Sequence, residues 1–197
     1  MEELNQALFL WMNAPAHPSA GTVLCATVLA DYLIWLVPLL LVICWLCGNA
    51  STRCFATEAA TAGLLALGLN QLIGLVWQHP RPFMIGVGHT LIQHVADSSF
   101  PSDHLTLLWA VAFSLALHPH LRRIGVALAL TGLPVAWARI YLGVHFPLDM
   151  LGAAIVAALT AALCRQPQRL MSWLFQWVEQ CYRFVGQPLI RRGWIPK

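Results

Sequence analysis

Residues 124–164 read IGVALALTGLPVAWARIYLGVHFPLDMLGAAIVAALTAALC. Two apolar runs, 124–142 and 147–164, meet at a short turn, around which Arg139, His145 and Asp149 cluster. Each run has about the length that a ~30 Å hydrocarbon core requires of a helix. Pro147 suits a first helical position, so the second run begins there. The stretch predicts a hairpin of two membrane-crossing helices with its ionisable groups collected at one membrane face.

Outward from the hairpin the same pattern repeats. Apolar runs at 22–47, 59–77 and 103–117 bring the predicted spans to five. The run at 103–117 is short, about 15 residues or ~22 Å of helix, so its start is expected to sit recessed below the membrane surface. Of 197 residues, 59% are hydrophobic and 10% charged, with mean hydropathy +0.68. Those values exclude a soluble domain, whose surface needs many more charges. The expectation is an all-α integral membrane protein forming a single embedded domain over 1–197.

Both ends carry amphipathic segments. Leu4, Leu8, Trp11 and Met12 share one helical face, as do Leu170, Trp173, Leu174, Trp177, Val178 and Cys181. Apolar residues opposite polar ones predict helices lying in the membrane surface. A sixth span at 168–186 is the alternative, at the cost of burying Glu179 and Arg183.

Basic residues set the orientation. With five spans, one face collects Arg53, Arg122, Arg123, Arg165, Arg169, Arg183, Arg191, Arg192 and Lys197, and the other only Arg81 and Arg139. The basic face is assigned to the cytoplasm, which leaves the N-terminus and the loop 78–102 outside. The net charge of +3 calls for no nucleic-acid partner. Residues 1–13 open on Glu2 and Glu3 rather than on a basic leader, so no cleavable signal is expected. Six cysteines show neither a disulfide framework nor zinc spacing, and Cys44 and Cys47 read as small apolar residues of a helix.

Three short segments converge on the outer face: Arg81-Pro82, Pro101-Ser102-Asp103-His104, and Arg139 to Asp149. Two arginine forks match phosphate oxygens. Ser102 stands where it can cap the third span, whose free N–H groups favour an anion. Asp149, four residues after His145, can accept from one ring nitrogen and leave the other free to attack. His104 can supply a proton to a leaving oxygen. Singly, each member has a structural reading, Arg81 as a snorkelling anchor and Asp149 as an acid at a helix start. His79, His89 and His94 read as loop residues without a catalytic task, and His118 and His120 as flanking the inner end of the third span. Asp31 reads as either an interfacial group or a support for the site.

The pattern R-P, P-S-x-H, R-x5-H-x3-D resembles the type-2 phosphatidic acid phosphatase superfamily, whose usual form is K-x6-R-P, P-S-G-H and S-R-x5-H-x3-D. Gly74 stands in the place of the lysine, Asp103 in that of the glycine, and Ala138 in that of the serine. The P-S-D-H form, the small size and the ending LIRRGWIPK are similar to the bacterial undecaprenyl-diphosphate phosphatase branch. The resemblance implies a phosphohistidine at His145, oriented by Asp149, with His104 as general acid. Arg81, Ser102 and Arg139 would hold the phosphoryl group, with no metal or other cofactor. It also implies an isoprenoid lipid diphosphate as substrate, a site facing the periplasm from the inner membrane, and recycling of the lipid carrier of cell-wall synthesis. An acid beside a phosphate repels it unless paired, so Asp103 is expected in the pocket beside an arginine or histidine. A lipid phosphotransferase, a phosphatidic acid or phosphatidylglycerol phosphate phosphatase, and a non-enzymatic lipid-phosphate binder or transporter are the alternatives.

Overall fold

The computed structural model describes residues 1–165, 168–193 and 195, and its regular elements are helical. They are α1 (Glu2–Met12), α2 (Ala20–Asp31), α3 (Leu36–Cys47), α4 (Ala50–Val76), α5 (Asp103–Ala116), α6 (Arg122–Tyr141), α7 (Pro147–Arg165) and α8 (Gln168–Arg191). Four segments are long and apolar enough to cross a membrane: 20–47, 50–76, 122–141 and 147–165. α5 is the fifth, shorter apolar helix. The chain is therefore a multi-pass membrane protein. Lys197, counted among the basic face, lies outside the described residues.

The first span is not one straight helix. A 3-10 turn at Leu33–Trp35 separates α2 from α3. Pro38 accounts for it, because a proline ring lacks the N–H and crowds the carbonyl four residues back, here that of Ile34. The second span starts nine residues earlier than the apolar run suggests, at Ala50, where Asn49 Oδ1 accepts from Thr52 N at 2.9 Å. Arg53 and Glu58 hide that start in the sequence, and both are buried. Arg53 Nε donates to Trp45 O at 2.9 Å, and Glu58 pairs with His118 at 3.0 Å. α8, although long, is too polar to join the crossing helices. It packs along α4, with Phe175 and Tyr182 set edge-on to Trp45.

Most of α5 is buried inside the bundle. Packed among α4, α6 and α7, it buries Leu105, Leu108, Val111, Ala112 and Leu115 completely. A helix apolar on every side belongs in a core. α7 shows the contrast. Leu151, Ile155, Leu159 and Leu163 form an outward stripe, each at least 60% exposed, while Gly152, Ala153, Ala157 and Ala161 face inward. Small inward residues let helix backbones approach closely where no hydrophobic effect drives them together.

α5 and α6 approach each other closely at Gly125. A Cβ there would lie 2.4 Å from Ala116 N and 2.6 Å from Ala112 O, both rigid backbone atoms. Gly125→Ala is therefore expected to destabilise the protein by about 1–3 kcal/mol. A lowered unfolding midpoint in detergent checks this, with Gly21→Ala, which meets nothing within 4 Å, as the neutral control.

Candidate active site

The C-terminal ends of α4 and α6 and the N-terminal ends of α5 and α7 meet at one end of the bundle. The loop 77–102 is tied down over them. Ser99 N donates to His79 O at 2.7 Å, and Leu91 N to Leu142 O at 3.0 Å. Asn13, just after α1, bridges the loop to the α6–α7 turn. Its Nδ2 donates to His89 O and Tyr141 O, and its Oδ1 accepts from His89 N at 2.6 Å. Gly143 in that turn has φ +83°, and a Cβ there would lie 2.1 Å from His89 O, so the contact needs glycine twice over. α1 braces the same turn. Phe9 packs edge-on against Phe146 at 5.2 Å, and Asn5 Oδ1 accepts from Leu148 N in the first turn of α7. Of the apolar face read from the sequence, Leu4, Leu8 and Trp11 point away from the protein, while Met12 packs against the core.

At the centre His145 is 2% exposed and Asp149 fully buried. His145 Nδ1 lies 3.1 Å from Asp149 Oδ2. A carboxylate only accepts, so Nδ1 carries the proton and the lone pair stays on Nε2. The same Oδ2 accepts from Phe146 N at 2.8 Å and from the Ser99 hydroxyl, which itself lies 3.4 Å from Nδ1. Burial, and then the charges of Arg139 and Arg81, hold the pKa of His145 well below its ordinary value, so the ring is neutral.

Arg81 ties the centre to the loop. Its Nε donates to Asp97 at 2.8 Å, its Nη2 to Ser98 O at 3.3 Å, and its Nη1 to Val144 O at 2.9 Å. That Nη1 also sits 3.1 Å from His145 Nε2. A phosphoryl oxygen taken up by Nη1 would bring its phosphorus close to His145 Nε2. Arg139, 1% exposed, sends Nη2 to His94 Nε2 at 3.1 Å and Nη1 to within 3.9 Å of Asp31. Arg139 Nε and Ser102 Oγ are buried with no partner among the described residues. Such orphans cost about 1–3 kcal/mol each unless a ligand or water meets them. His104 stands half-buried in the first turn of α5.

A family model for the PAP2 superfamily matches residues 55–172. The chain belongs to that superfamily. It is 36% identical to YbjG of Escherichia coli (strain K12), provisionally named an undecaprenyl-diphosphatase, over 99% of this chain and 98% of that protein. It is 37% identical to the undecaprenyl-diphosphatase BcrC of Bacillus subtilis (strain 168), over 81% and 82% respectively. The crystal structure of Aquifex aeolicus LpxE superposes with a TM-score of 0.68 at 24% identity, covering 83% of this chain and 95% of that one. This last likeness is one of fold.

Two expectations read from the sequence need correction. Ser102 occupies the N-cap position of α5, yet its side chain makes no capping bond. Its N–H donates instead to Asp149 O at 3.3 Å, which couples the second motif to the third. Asp103 meets neither arginine nor histidine within ion-pair distance among the described residues. Its two oxygens accept from Asn70 Nδ2 at 2.8 Å and Gln71 Nε2 at 3.3 Å. The reason is position: α4 runs beside the start of α5 and presents amides there. Asp103, Asn70 and Gln71 line a cavity of about 520 Å³ together with Asp97 and Ser98, with Gly74 in its wall.

The loop histidines divide. Among the described residues His89 is met through its backbone atoms, and His79 lies 3.6 Å from Glu2. His94, idle on the sequence reading, belongs to the site through Arg139, its ring 6.2 Å from that of His145. Asp97 and Ser99 join the site without having been marked by the sequence. Ser99 precedes Pro101 by two residues, and proximity to the motif is the one available signal. Asp97 sits in irregular chain, where no periodicity marks a partner for Arg81.

Proposed function

We propose that this PAP2 protein hydrolyses undecaprenyl diphosphate to undecaprenyl phosphate and phosphate, working as one membrane-embedded unit. The observation that carries the reading is the line Asp149 Oδ2, His145 Nδ1, His145 Nε2, Arg81 Nη1, with 3.1 Å at each of its two hydrogen-bond steps. It supplies an oriented, neutral nucleophile in contact with a phosphate-binding cation. The names of the two relatives support the substrate class.

In the proposed reaction His145 Nε2 attacks the terminal phosphorus while the bond from that phosphorus to the bridging oxygen breaks. His104 gives a proton to the departing lipid phosphate. Arg81, Arg139 and Ser102 hold the oxygens of the transferring group, where positioning and charge do most of the work. Water, deprotonated by His104, then attacks the phosphohistidine and releases phosphate. The site faces the periplasm and serves recycling of the lipid carrier of cell-wall synthesis; the split of basic residues supports that orientation.

The test is phosphate release by purified full-length protein from a panel of lipid mono- and diphosphates. Preference for a glycerolipid monophosphate, or phosphate passed to an added lipid rather than to water, would reject the reading. For orientation, Val87→Cys in a cysteine-free background is expected to react with an impermeant maleimide in intact cells, and Gln187→Cys only after lysis. The reverse pattern would invert the topology.

A further inference from the structure

Both guanidinium groups of the site are already faced by carboxylates. Asp97 lies 2.8 Å from Arg81, and Asp31 lies 3.9 Å from Arg139. A phosphate monoester brings at most about two negative charges at neutral pH, and a diphosphate ester brings more. A site for the latter needs a further cation or donor, placed beside the arginines but beyond the reach of the terminal phosphoryl group.

We propose that His94 is a specificity-determining residue that, as imidazolium, holds the lipid-linked phosphate of a diphosphate while Arg81, Ser102 and Arg139 hold the terminal one. The inference rests on the reading of the site as that of a lipid-diphosphate phosphatase. His94 Nδ1 lies 3.1 Å from Val95 O, so that nitrogen carries a proton and donates it. Its Nε2 lone pair therefore accepts from Arg139 Nη2. When an anion draws Arg139 onto its terminal oxygens, Nε2 is left facing negative charge, and a proton taken up there turns it into a donor. Space is available: His94 lines a second cavity of about 360 Å³ with Phe83, Thr90, Ile92 and Gln93.

The surroundings favour a proton that arrives with the substrate. Around His94 stand Arg81 and Asp97 from the loop, Arg139 from α6, Asp31 from α2, His145 from the α6–α7 turn and His104 from α5. Burial pushes the pKa of His94 below its ordinary value, and the two arginines push it further, against the Val95 carbonyl and Asp97. A bound diphosphate cancels the arginine contribution. A monophosphate also engages Arg139 in the terminal subsite, but it places no second phosphate opposite His94 Nε2, so the ring gains no anionic partner of its own.

The experiment compares inhibition constants for two probes, orthophosphate and methylenediphosphonate, with p-nitrophenyl phosphate turnover as the reporter. Glutamine keeps a hydrogen-bonding head beside Arg139 but cannot be charged. In His94→Gln the constant for methylenediphosphonate is expected to rise about tenfold and that for orthophosphate to change by less than about twofold. His94→Lys, which restores a cation, is expected to recover most of the diphosphonate binding. A parallel rise for both probes would reduce His94 to a prop for Arg139, and no change in either would remove it from the site; each result overturns the proposal. Failure of the wild-type protein to hydrolyse farnesyl diphosphate is a separate result that rejects the functional reading itself.

Discussion

His145→Ala is expected to lower kcat on an isoprenoid diphosphate by about ten-thousand-fold or more while leaving its binding within about tenfold of wild type. Loss of the nucleophile removes the bond that forms in the transition state. Arg81, Arg139 and Ser102, which meet the ground-state oxygens as well, remain. Single-turnover quenching should also fail to trap acid-labile phosphate on the variant. Substantial steady-state turnover by His145→Ala would eliminate the covalent route. The wild-type pH profile carries a related signature. With its pKa held well below the usual 6.5, chiefly by burial, His145 stays neutral as the pH falls through that value. An acid limb of kcat/KM set by the nucleophile should therefore appear well below about pH 6.5.

What the sequence reveals of this site follows the regularity of the backbone. The spacing of four between His145 and Asp149 spans one helical turn, and the structure joins the two side chains. Arg81 and Arg139 stand out as the two cations on the sparsely basic face, and one touches His145 while the other is fully buried nearby. Elements come through for the same reason, since apolar runs report on lipid and core alike. The failures share a cause as well. Pro38 breaks a run that reads as one apolar span, and Arg53 and Glu58 sit in a helix that their charges disguise. Charge logic gives Asp103 a cationic partner, but α4 offers amides, and which face of a neighbouring helix turns inward is a matter of packing. His94, Asp97 and Ser99 occupy irregular chain, where tertiary contacts alone choose the partners.

The bracing of the α6–α7 turn is least legible of all. Asn5 and Asn13 look like ordinary polar residues of an amphipathic end. In the structure Asn5 receives the N–H of Leu148, and Asn13 holds three carbonyls and one N–H across the loop and the turn. The N-terminal segment thus fixes the backbone on which His145 rides, a link between the N-terminal helix and His145 that rests on hydrogen bonds over more than 120 residues of sequence separation.

Asp149→Ala is expected to approach the loss caused by removing the nucleophile, about ten-thousand-fold in kcat, because three donors converge on one carboxylate oxygen. Without it, Phe146 N, Ser99 Oγ and His145 Nδ1 lose their shared acceptor in a buried setting, and the ring is free to turn or to exchange tautomers. A proton moved to Nε2 would occupy the attacking lone pair. Asp149→Asn separates orientation from charge. Three donors favour the amide oxygen in the place of Oδ2, with the amide nitrogen at Oδ1, which has no partner among the described residues. The tautomer is then kept, and what is lost is the negative charge that steadies the ring as Nε2 bonds to phosphorus and the imidazole becomes cationic. That loss alone should cost about a hundredfold to a thousandfold in kcat. The decisive comparison is kcat for the two variants on one substrate, with unfolding midpoints measured beside it. An Asp149→Asn protein as impaired as the alanine variant, at an unchanged midpoint, would show that the amide had turned its nitrogen toward His145 and placed the proton on the nucleophile.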